Sequence, residues 1–205
     1  THRYSSAASD VYKRQLETPC FSGDGSHSAV RPRLGLKPMN DSSTTPAKKR
    51  VLFVCMGNIC RSPTGEGVMQ SVVERTKSDI AIEVDSAGTI GYHSGNPADS
   101  RMRKAASQRG YQLESISRQV SKADLDSFDL VIAMDRDNLA DLNALHGSPN
   151  AHVRLLSDFL DDSWPVDVPD PYYGGAQGFE EVLDMIEAAC PEILRELHPD
   201  KDSAS

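Results

Sequence analysis

The segment VLFVCMGNICRSP, residues 51–63, constrains the fold more than any other stretch of this sequence. Its first four residues form a continuous apolar run, the pattern of a strand covered on both faces of a parallel sheet. Pro63 is typical of the first turn of a helix. A strand that leads through a short loop into a helix begins a βαβ unit. The segment therefore predicts an α/β fold whose first loop carries two thiols and an arginine.

The pattern of strand followed by helix recurs along the chain. Apolar runs at residues 80–84, 130–134 and 153–156 predict further strands, and apolar residues with helical spacing follow most of them. A long irregular loop, residues 158–178, precedes the last helix, which Pro191 is expected to kink or break. This alternation predicts a parallel sheet with helices on both faces. Ligands of such sheets bind beyond the carboxyl ends of the strands.

Composition predicts one folded domain with polar ends. The chain has 205 residues, 38% hydrophobic and 25% charged. We predict three segments from the composition. Residues 1–46 form a disordered tail, residues 47–198 form the folded domain, and residues 199–205 form a disordered C-terminus. DVYKRQ, residues 10–15, resembles the translation of a sequencing adapter. We therefore interpret part of the tail as an artefact and Met39 as the natural start, with a transit peptide as the competing interpretation.

Charge and cysteine content argue against several functional classes. The tail has 6 Lys and Arg against 4 Asp and Glu, and the rest of the chain has 16 against 26. Such an acidic domain argues against a nucleic-acid partner. No apolar run is long enough to suggest a membrane span. Four cysteines are too few for a disulfide scaffold, so we expect a cytoplasmic protein.

The first loop, residues 55–62, has the composition of a phosphate-binding loop. Its backbone N–H groups can converge at the N-terminus of the following helix, where anions bind. Gly57 suits a tight turn, and Asn58 tolerates a left-handed backbone. Arg61 offers a planar fork of donors to two phosphate oxygens. Cys55 faces these groups, which favour the nucleophilic thiolate.

Other interpretations of the paired cysteines are open at this point. Cys55 and Cys60 are also compatible with ordinary buried thiols or with zinc ligands. The four histidines of the predicted domain are not paired at ligand spacing, so we expect no metal and no cofactor. A nucleotide-binding P-loop would need Gly-Lys-Ser/Thr after the turn, which is absent from the sequence.

These residues resemble the low-molecular-weight protein tyrosine phosphatases. That family has Cys, five residues, Arg and Ser after its first strand, which stands here as CMGNICRS. Its second motif, Asp-Pro followed by aromatics, stands here as DPYYGG at residues 170–175. DSAGT, SRQV and MDRDNL are also similar, so the resemblance covers residues 50–198. It implies a flavodoxin-like α/β fold, with three layers and a four-stranded parallel sheet in the order 2-1-3-4.

The resemblance implies hydrolysis of phosphotyrosine through a cysteinyl-phosphate intermediate. Cys55 is expected to attack phosphorus while Arg61 holds the phosphoryl oxygens. Asp170, between two prolines, is expected to protonate the leaving tyrosine oxygen. Asp167 is the next carboxylate to test for that role.

Supporting roles are also implied by the resemblance. The phosphate-binding loop includes Met56, Gly57, Asn58, Ile59 and Cys60. Ser62 is expected to donate a hydrogen bond to the sulfur, and Ser86 to brace Asn58. Cys60 is expected to form a reversible disulfide with Cys55 under oxidation.

The substrate slot is expected to consist of Tyr92, Tyr172 and Tyr173. Many relatives have tryptophan at the position of Tyr92 and histidine at that of Ser115. Substrate preference and tuning of the thiolate therefore stay open. The expected partner is a phosphotyrosine protein, with a bacterial tyrosine kinase as one candidate.

Three alternative functions remain. Arsenate reductases of this fold need further cysteines, and none lies between Cys60 and Cys190. Arginine phosphatases of the fold tend to have threonine where Ile59 stands. A catalytically silent phosphate-binding module is the alternative from another class.

Overall fold

The computed structural model describes residues 48–77, 80–172 and 175–198; the predicted tails, residues 1–46 and 199–205, lie outside them. The elements are β1 (Lys49–Cys55), α1 (Arg61–Thr76), β2 (Ile82–Gly88), α2 (Ser100–Gln108), α3 (Lys122–Ser127), β3 (Leu130–Ala133), α4 (Arg136–His146), β4 (Val153–Leu155), a short 3-10 helix (Leu156–Phe159) and α5 (Ala176–Glu196). Within the described part of the chain, every helix is too short or too polar to cross a lipid bilayer.

The four strands form one parallel sheet in the order β2-β1-β3-β4, which confirms the predicted topology. β1 is central: Val51 lies opposite Val84 of β2 and Leu130 of β3. Successive residues of β1 point to opposite faces. Phe53 packs in the core formed with α1 and α5, whereas Leu52 packs in the core formed with α3 and α4. Helices therefore cover both faces, and the loops after β1, β2 and β3 meet at one edge.

Helix α5 continues from Ala176 to Glu196 through Pro191, so the predicted break at this residue does not occur. Proline inside a helix costs about 3 kcal/mol. Pro191 itself lies on the exposed side of α5. The opposite side buries Leu183, Ile186 and Ile193 completely. Each such side chain contributes about 1.5–3 kcal/mol, so their burial outweighs the proline.

Two further differences concern polar segments. β2 spans Ile82–Gly88, whereas the predicted strand spans residues 80–84. The second half of β2, DSAG, has no apolar run that would predict a strand, but it pairs with β1 as far as Gly88. Helix α3 was not predicted. Its signal is the capping box of Ser121 and Asp124, in which each side chain accepts the other residue's backbone N–H.

Gly65 lets α1 approach the centre of the sheet. A Cβ atom at this position would lie 2.5 Å from Cδ1 of Phe53. The Phe53 side chain is fully buried and cannot move aside. Glycine is therefore needed here for helix-to-strand packing, which also sets the position of the loop that joins β1 to α1.

We expect Gly65→Ala to lower the free energy of unfolding by about 1–3 kcal/mol, because overpacking against Phe53 exceeds the gain in helix propensity. Gly178→Ala is the matched control in α5. There a Cβ would lie 3.5 Å from the nearest atom, an ordinary contact, so stability should stay equal or rise slightly. Urea unfolding measures both variants. Equal stability of Gly65→Ala and the parent protein would contradict the packing argument.

Candidate active site

The loop between β1 and α1 encloses the sulfur of Cys55. β1 ends at Cys55, which is almost completely buried. The backbone N–H of Asn58 donates to Cys55 Sγ at 3.3 Å. Asn58 has a φ of 54°, the left-handed conformation that asparagine tolerates better than most residues. This turn aims its backbone N–H at the sulfur.

The side chain of Asn58 connects the sulfur's neighbours in one buried network. Its Nδ2 donates to Ser62 Oγ and Ser86 Oγ, both at 2.9 Å. Its Oδ1 accepts the backbone N–H of Arg118 at 2.9 Å. Ser62 Oγ lies 3.1 Å from Cys55 Sγ. Both amide hydrogens and the carbonyl oxygen of Asn58 are therefore used.

Ser62 can respond to the charge of the sulfur. Its hydroxyl has a single hydrogen, yet Cys55 Sγ and the carbonyl oxygen of Ala87 both lie 3.1 Å away. The hydrogen can point to only one of them at a time. A thiolate is the stronger acceptor, so ionisation of Cys55 favours rotation of the hydroxyl toward sulfur.

Glu66 extends this network and was missed in the sequence. Ser86 Oγ donates to Glu66 Oε2 at 2.6 Å. Burial raises the pKa of Glu66, although hydrogen bonds from Ser86 and Ser115 oppose the rise. Ser62 and Glu66 are four residues apart in α1 and so share a face of the helix. That spacing was the available signal.

The loop after β2 braces the phosphate-binding loop from the side. Thr89 N–H donates to the Cys55 carbonyl at 2.9 Å, and Ile90 N–H to the Met56 carbonyl at 3.0 Å. A Cβ atom on Gly88 would lie only 2.7 Å from the Met56 carbonyl oxygen. Glycine at position 88 permits this close approach.

Arg61, the first residue of α1, lies at the mouth of the loop with its side chain 5% exposed. Its Nη1 bonds Asp135 Oδ2 at 2.5 Å and the Val168 carbonyl at 3.3 Å. Its Nη2 bonds Asp170 Oδ2 at 3.2 Å. Burial opposes the charge of the guanidinium, but Cys55, Asp135 and Asp170 outweigh burial and raise the pKa of Arg61. It remains a cation beside the sulfur.

Asp135 is a second site residue that the sequence analysis missed. It lies between β3 and α4, two residues after the end of β3, and its Oδ1 caps α4 by accepting the N–H of Asn138 at 2.7 Å. The signal was its place at the carboxyl end of a buried strand beside β1. Asp167 lies elsewhere: it pairs with exposed Arg136 at 2.6 Å, and that hydrogen bond holds the pKa of Asp167 below its usual range. Of the two aspartates considered as the acid, it is Asp170 that contacts Arg61.

A cavity of about 240 Å³ opens above the sulfur. It is lined by Cys55, Met56, Gly57, Ile59, Cys60, Arg61, Ile90, Tyr92, His93, Asp170 and Tyr172. Tyr92 is 83% exposed and packs edge-on against His93, with ring centroids 4.8 Å apart. Tyr172 is partly exposed, and Tyr173 lies outside the described residues. Ile90 and His93 are wall residues that the sequence analysis did not name.

The cavity and its loop match a known family. Residues 50–203 match the family model described as low molecular weight phosphotyrosine protein phosphatase. The chain belongs to the low-molecular-weight protein tyrosine phosphatase family. It is 40% identical over 153 residues to the low molecular weight protein-tyrosine-phosphatase YfkJ of Bacillus subtilis, which covers 74% of this chain and 97% of YfkJ. The predicted family is thus confirmed.

Solved structures of this phosphatase family have the same fold. A protein tyrosine phosphatase from Entamoeba histolytica, crystallised with Hepes in its active site, is 44% identical and superposes with a TM-score of 0.70, covering 75% of this chain and 99% of that one. A Drosophila arginine phosphatase is 30% identical with a TM-score of 0.67, covering 74% of this chain and 98% of that one. The fold is therefore shared by members with different named substrates.

Within the described residues, the two cysteines other than Cys55 lie in surroundings that disfavour the thiolate. Burial, followed by the charge of Asp99, raises the pKa of Cys60 to about 12. Burial also raises the pKa of Cys190. Both remain protonated thiols at neutral pH, and the thiolate is the reactive form.

We expect iodoacetate near pH 7 to label Cys55 and to leave Cys60 unlabelled until the protein unfolds. With a pKa of about 12, Cys60 holds only about one thiolate in 10⁵ molecules at that pH. Peptide mass spectrometry locates the label, and added inorganic phosphate should protect Cys55. Labelling of Cys60 in the native protein at a rate similar to that of Cys55 would contradict the assignment.

Proposed function

We propose that this chain hydrolyses protein phosphotyrosine through a cysteinyl-phosphate intermediate. One observation carries the proposal: a single cavity holds the thiol of Cys55, the guanidinium of Arg61 and the carboxyl group of Asp170. Phosphoryl transfer needs a nucleophile, a cation for the equatorial oxygens and an acid for the leaving group. Cys55 can supply the nucleophile, Arg61 the cation and Asp170 the acid.

In the first step the thiolate of Cys55 attacks phosphorus in line with the tyrosine oxygen. The S–P bond forms, the P–O bond to tyrosine breaks, and the tyrosine oxygen takes a proton from Asp170. Arg61 and the loop N–H groups stabilise the charge on the equatorial oxygens. In the second step Asp170 removes a proton from water, water oxygen attacks phosphorus, and the S–P bond breaks with Ser62 donating to the departing sulfur.

Arg61 has one fixed and one exchangeable contact. Asp135, whose side chain is 19% exposed, holds Nη1, whereas Asp170, at 38%, holds Nη2 at the longer distance. A phosphoryl oxygen can replace Asp170 on Nη2, because it offers the guanidinium a more highly charged acceptor. This exchange would release the carboxyl group of Asp170 to carry a proton toward the leaving oxygen.

The walls of the cavity favour an aromatic substrate. Ile59, Ile90, Tyr92 and Tyr172 offer apolar surface beside the sulfur. The branched side chain of Ile59, where arginine phosphatases tend to have threonine, supports a planar ring over a guanidinium. We also propose phosphotyrosine proteins, including bacterial tyrosine kinases, as partners. A cytoplasmic location is proposed because the thiolate chemistry needs a reducing compartment.

Cys55→Ser should abolish turnover of phosphotyrosine peptides, because a serine hydroxyl remains neutral where the thiolate is the nucleophile. Binding of inorganic phosphate should persist, since Arg61 and the loop N–H groups are unchanged. Product release and calorimetry measure the two properties. Hydrolysis by this variant at more than a trace of the parent rate would remove Cys55 as the nucleophile. Phosphate binding without turnover by the parent protein would favour the silent module, and faster turnover of phosphoarginine than of phosphotyrosine would favour an arginine phosphatase.

Asp170→Asn should lower kcat/KM for phosphotyrosine, which reports only the first step, by about 10² to 10⁴, because the leaving phenol, with a pKa near 10, then departs without a proton. The loss should be smaller for 4-nitrophenyl phosphate, whose leaving group is a much stronger acid. Steady-state kinetics on both substrates measures the contrast, with Asp167→Asn as the matched control. Equal losses on both substrates would contradict the acid role of Asp170.

A further inference from the structure

The N-terminus of α2 is bonded directly to the phosphate-binding loop. Asp99 caps this helix by accepting the backbone N–H of Arg101 at 2.8 Å. The backbone N–H of Asp99 in turn donates to the carbonyl of Ile59 at 2.7 Å. The start of α2 is therefore fixed relative to the loop that surrounds Cys55.

The guanidinium of Arg101 continues this connection to the segment that carries the acid. Its Nη2 bonds the Asp99 carboxylate at 2.8 Å, and its Nη1 donates to the Tyr172 carbonyl at 3.3 Å. The backbone N–H of Tyr172 donates to Asp170 Oδ1 at 3.0 Å. A path of hydrogen bonds thus runs from Ile59 to Asp170, two residues that lie in different loops of the site.

Arg101 also contacts two aromatic rings on either side of that segment. Its Cζ lies 5.3 Å from the ring centroid of Tyr172 and 5.2 Å from that of Phe179. Phe179 is buried in the first turns of α5, so it provides a fixed anchor. A guanidinium plane can pack on rings while its N–H groups bond to oxygens, a combination that a lysine ammonium reproduces poorly.

Arg101 does not line the cavity above Cys55. An effect of this residue on catalysis must therefore pass through the residues it holds. The carboxyl group of Asp170 must come within about 2.6–3.2 Å of the leaving oxygen. A displacement of about 1 Å at a reacting group can cost about 10² in rate. Tyr172 and Asp170 are both partly exposed, so they depend on such a support.

We propose that Arg101 is a positioning residue: through the backbone of Tyr172 it aligns Asp170 with the leaving tyrosine oxygen. This inference rests on the proposed function and adds to it a residue outside the cavity. Asp99 serves as the connection between Arg101 and the phosphate-binding loop. The acid, Asp170, and the nucleophile, Cys55, are then held in a fixed relative position, although they are more than a hundred residues apart in the sequence.

The test compares Arg101→Ala and Arg101→Lys with the parent protein. Arg101→Ala should lower kcat/KM for phosphotyrosine about 10- to 100-fold and kcat/KM for 4-nitrophenyl phosphate much less, because only the first leaving group needs the acid in the step that kcat/KM reports. Inhibition by inorganic phosphate should change less than about twofold, since Arg61 is untouched. Arg101→Lys should recover part of the loss. Arg103→Ala is the matched control: this arginine lies on the same helix and bonds the Ala98 carbonyl, so its kinetics should equal those of the parent protein.

A double variant separates positioning from general stability. If Arg101 acts through Asp170, adding Arg101→Ala to Asp170→Asn should lower kcat/KM for phosphotyrosine by no more than about twofold. Additive losses, equal losses of Arg101→Ala on both substrates, or unchanged kinetics would each overturn the proposal. Phosphate inhibition shows that each variant has a folded site.

These experiments also distinguish a failure of this inference from a failure of the proposed function. A parent protein that does not hydrolyse phosphotyrosine, or an Asp170→Asn variant without a leaving-group effect, would overturn the function or the acid assignment, and the positioning role would fall with it. Normal behaviour of both proteins together with unchanged kinetics of Arg101→Ala would overturn the positioning role alone.

Discussion

The side-chain amide of Asn58 is the interaction on which the rest of the site depends. It joins Ser62 of α1, Ser86 of β2 and the backbone N–H of Arg118 in a region closed to water. A buried polar network is stable only when each member is satisfied, since one unpaired group costs about 1–3 kcal/mol. The same residue adopts the left-handed backbone that aims its N–H at Cys55. Loop conformation and the environment of the sulfur are therefore fixed by one residue.

Charge in the site is arranged around a single buried cation. Arg61 has a 5% exposed side chain, and a buried guanidinium without partners would carry a large desolvation penalty. Asp135 offsets that penalty from a rigid position at the end of β3, while Asp170 contributes from a more exposed segment. This difference in rigidity matters chemically. Asp135, which only orients Arg61, is held in place. Asp170, which is proposed to transfer a proton, is free to move away from Arg61.

Local sequence was sufficient to predict that one loop brings Cys55 and Arg61 to the same cavity, because Cys55, Asn58 and Arg61 lie within seven consecutive residues between a recognisable strand and helix. It was also sufficient for the order of strands once the family resemblance was recognised. Asp135 and Arg101 were missed because their contacts join residues 74 and 71 positions apart, and the position of Asp135 after a buried strand does not by itself identify Arg61 as its partner. The continuation of α5 through Pro191 was missed because burial of the opposite face decides it.

Glu66 shows how burial can adapt the network to a negative sulfur. Its hydrogen-bond partners are Ser86, Gln70 and Ser115, so a carboxylate here has neutral donors beside it. Ser115 is neutral, so it offers this carboxylate a hydrogen bond and no positive charge. With serine, burial raises the pKa of Glu66, and the carboxylate gains its proton at a higher pH than an exposed glutamate. Protonation of Glu66 removes a negative charge from the network of Asn58, Ser62 and Ser86 while the hydrogen bonds of Asn58 to both serines are kept.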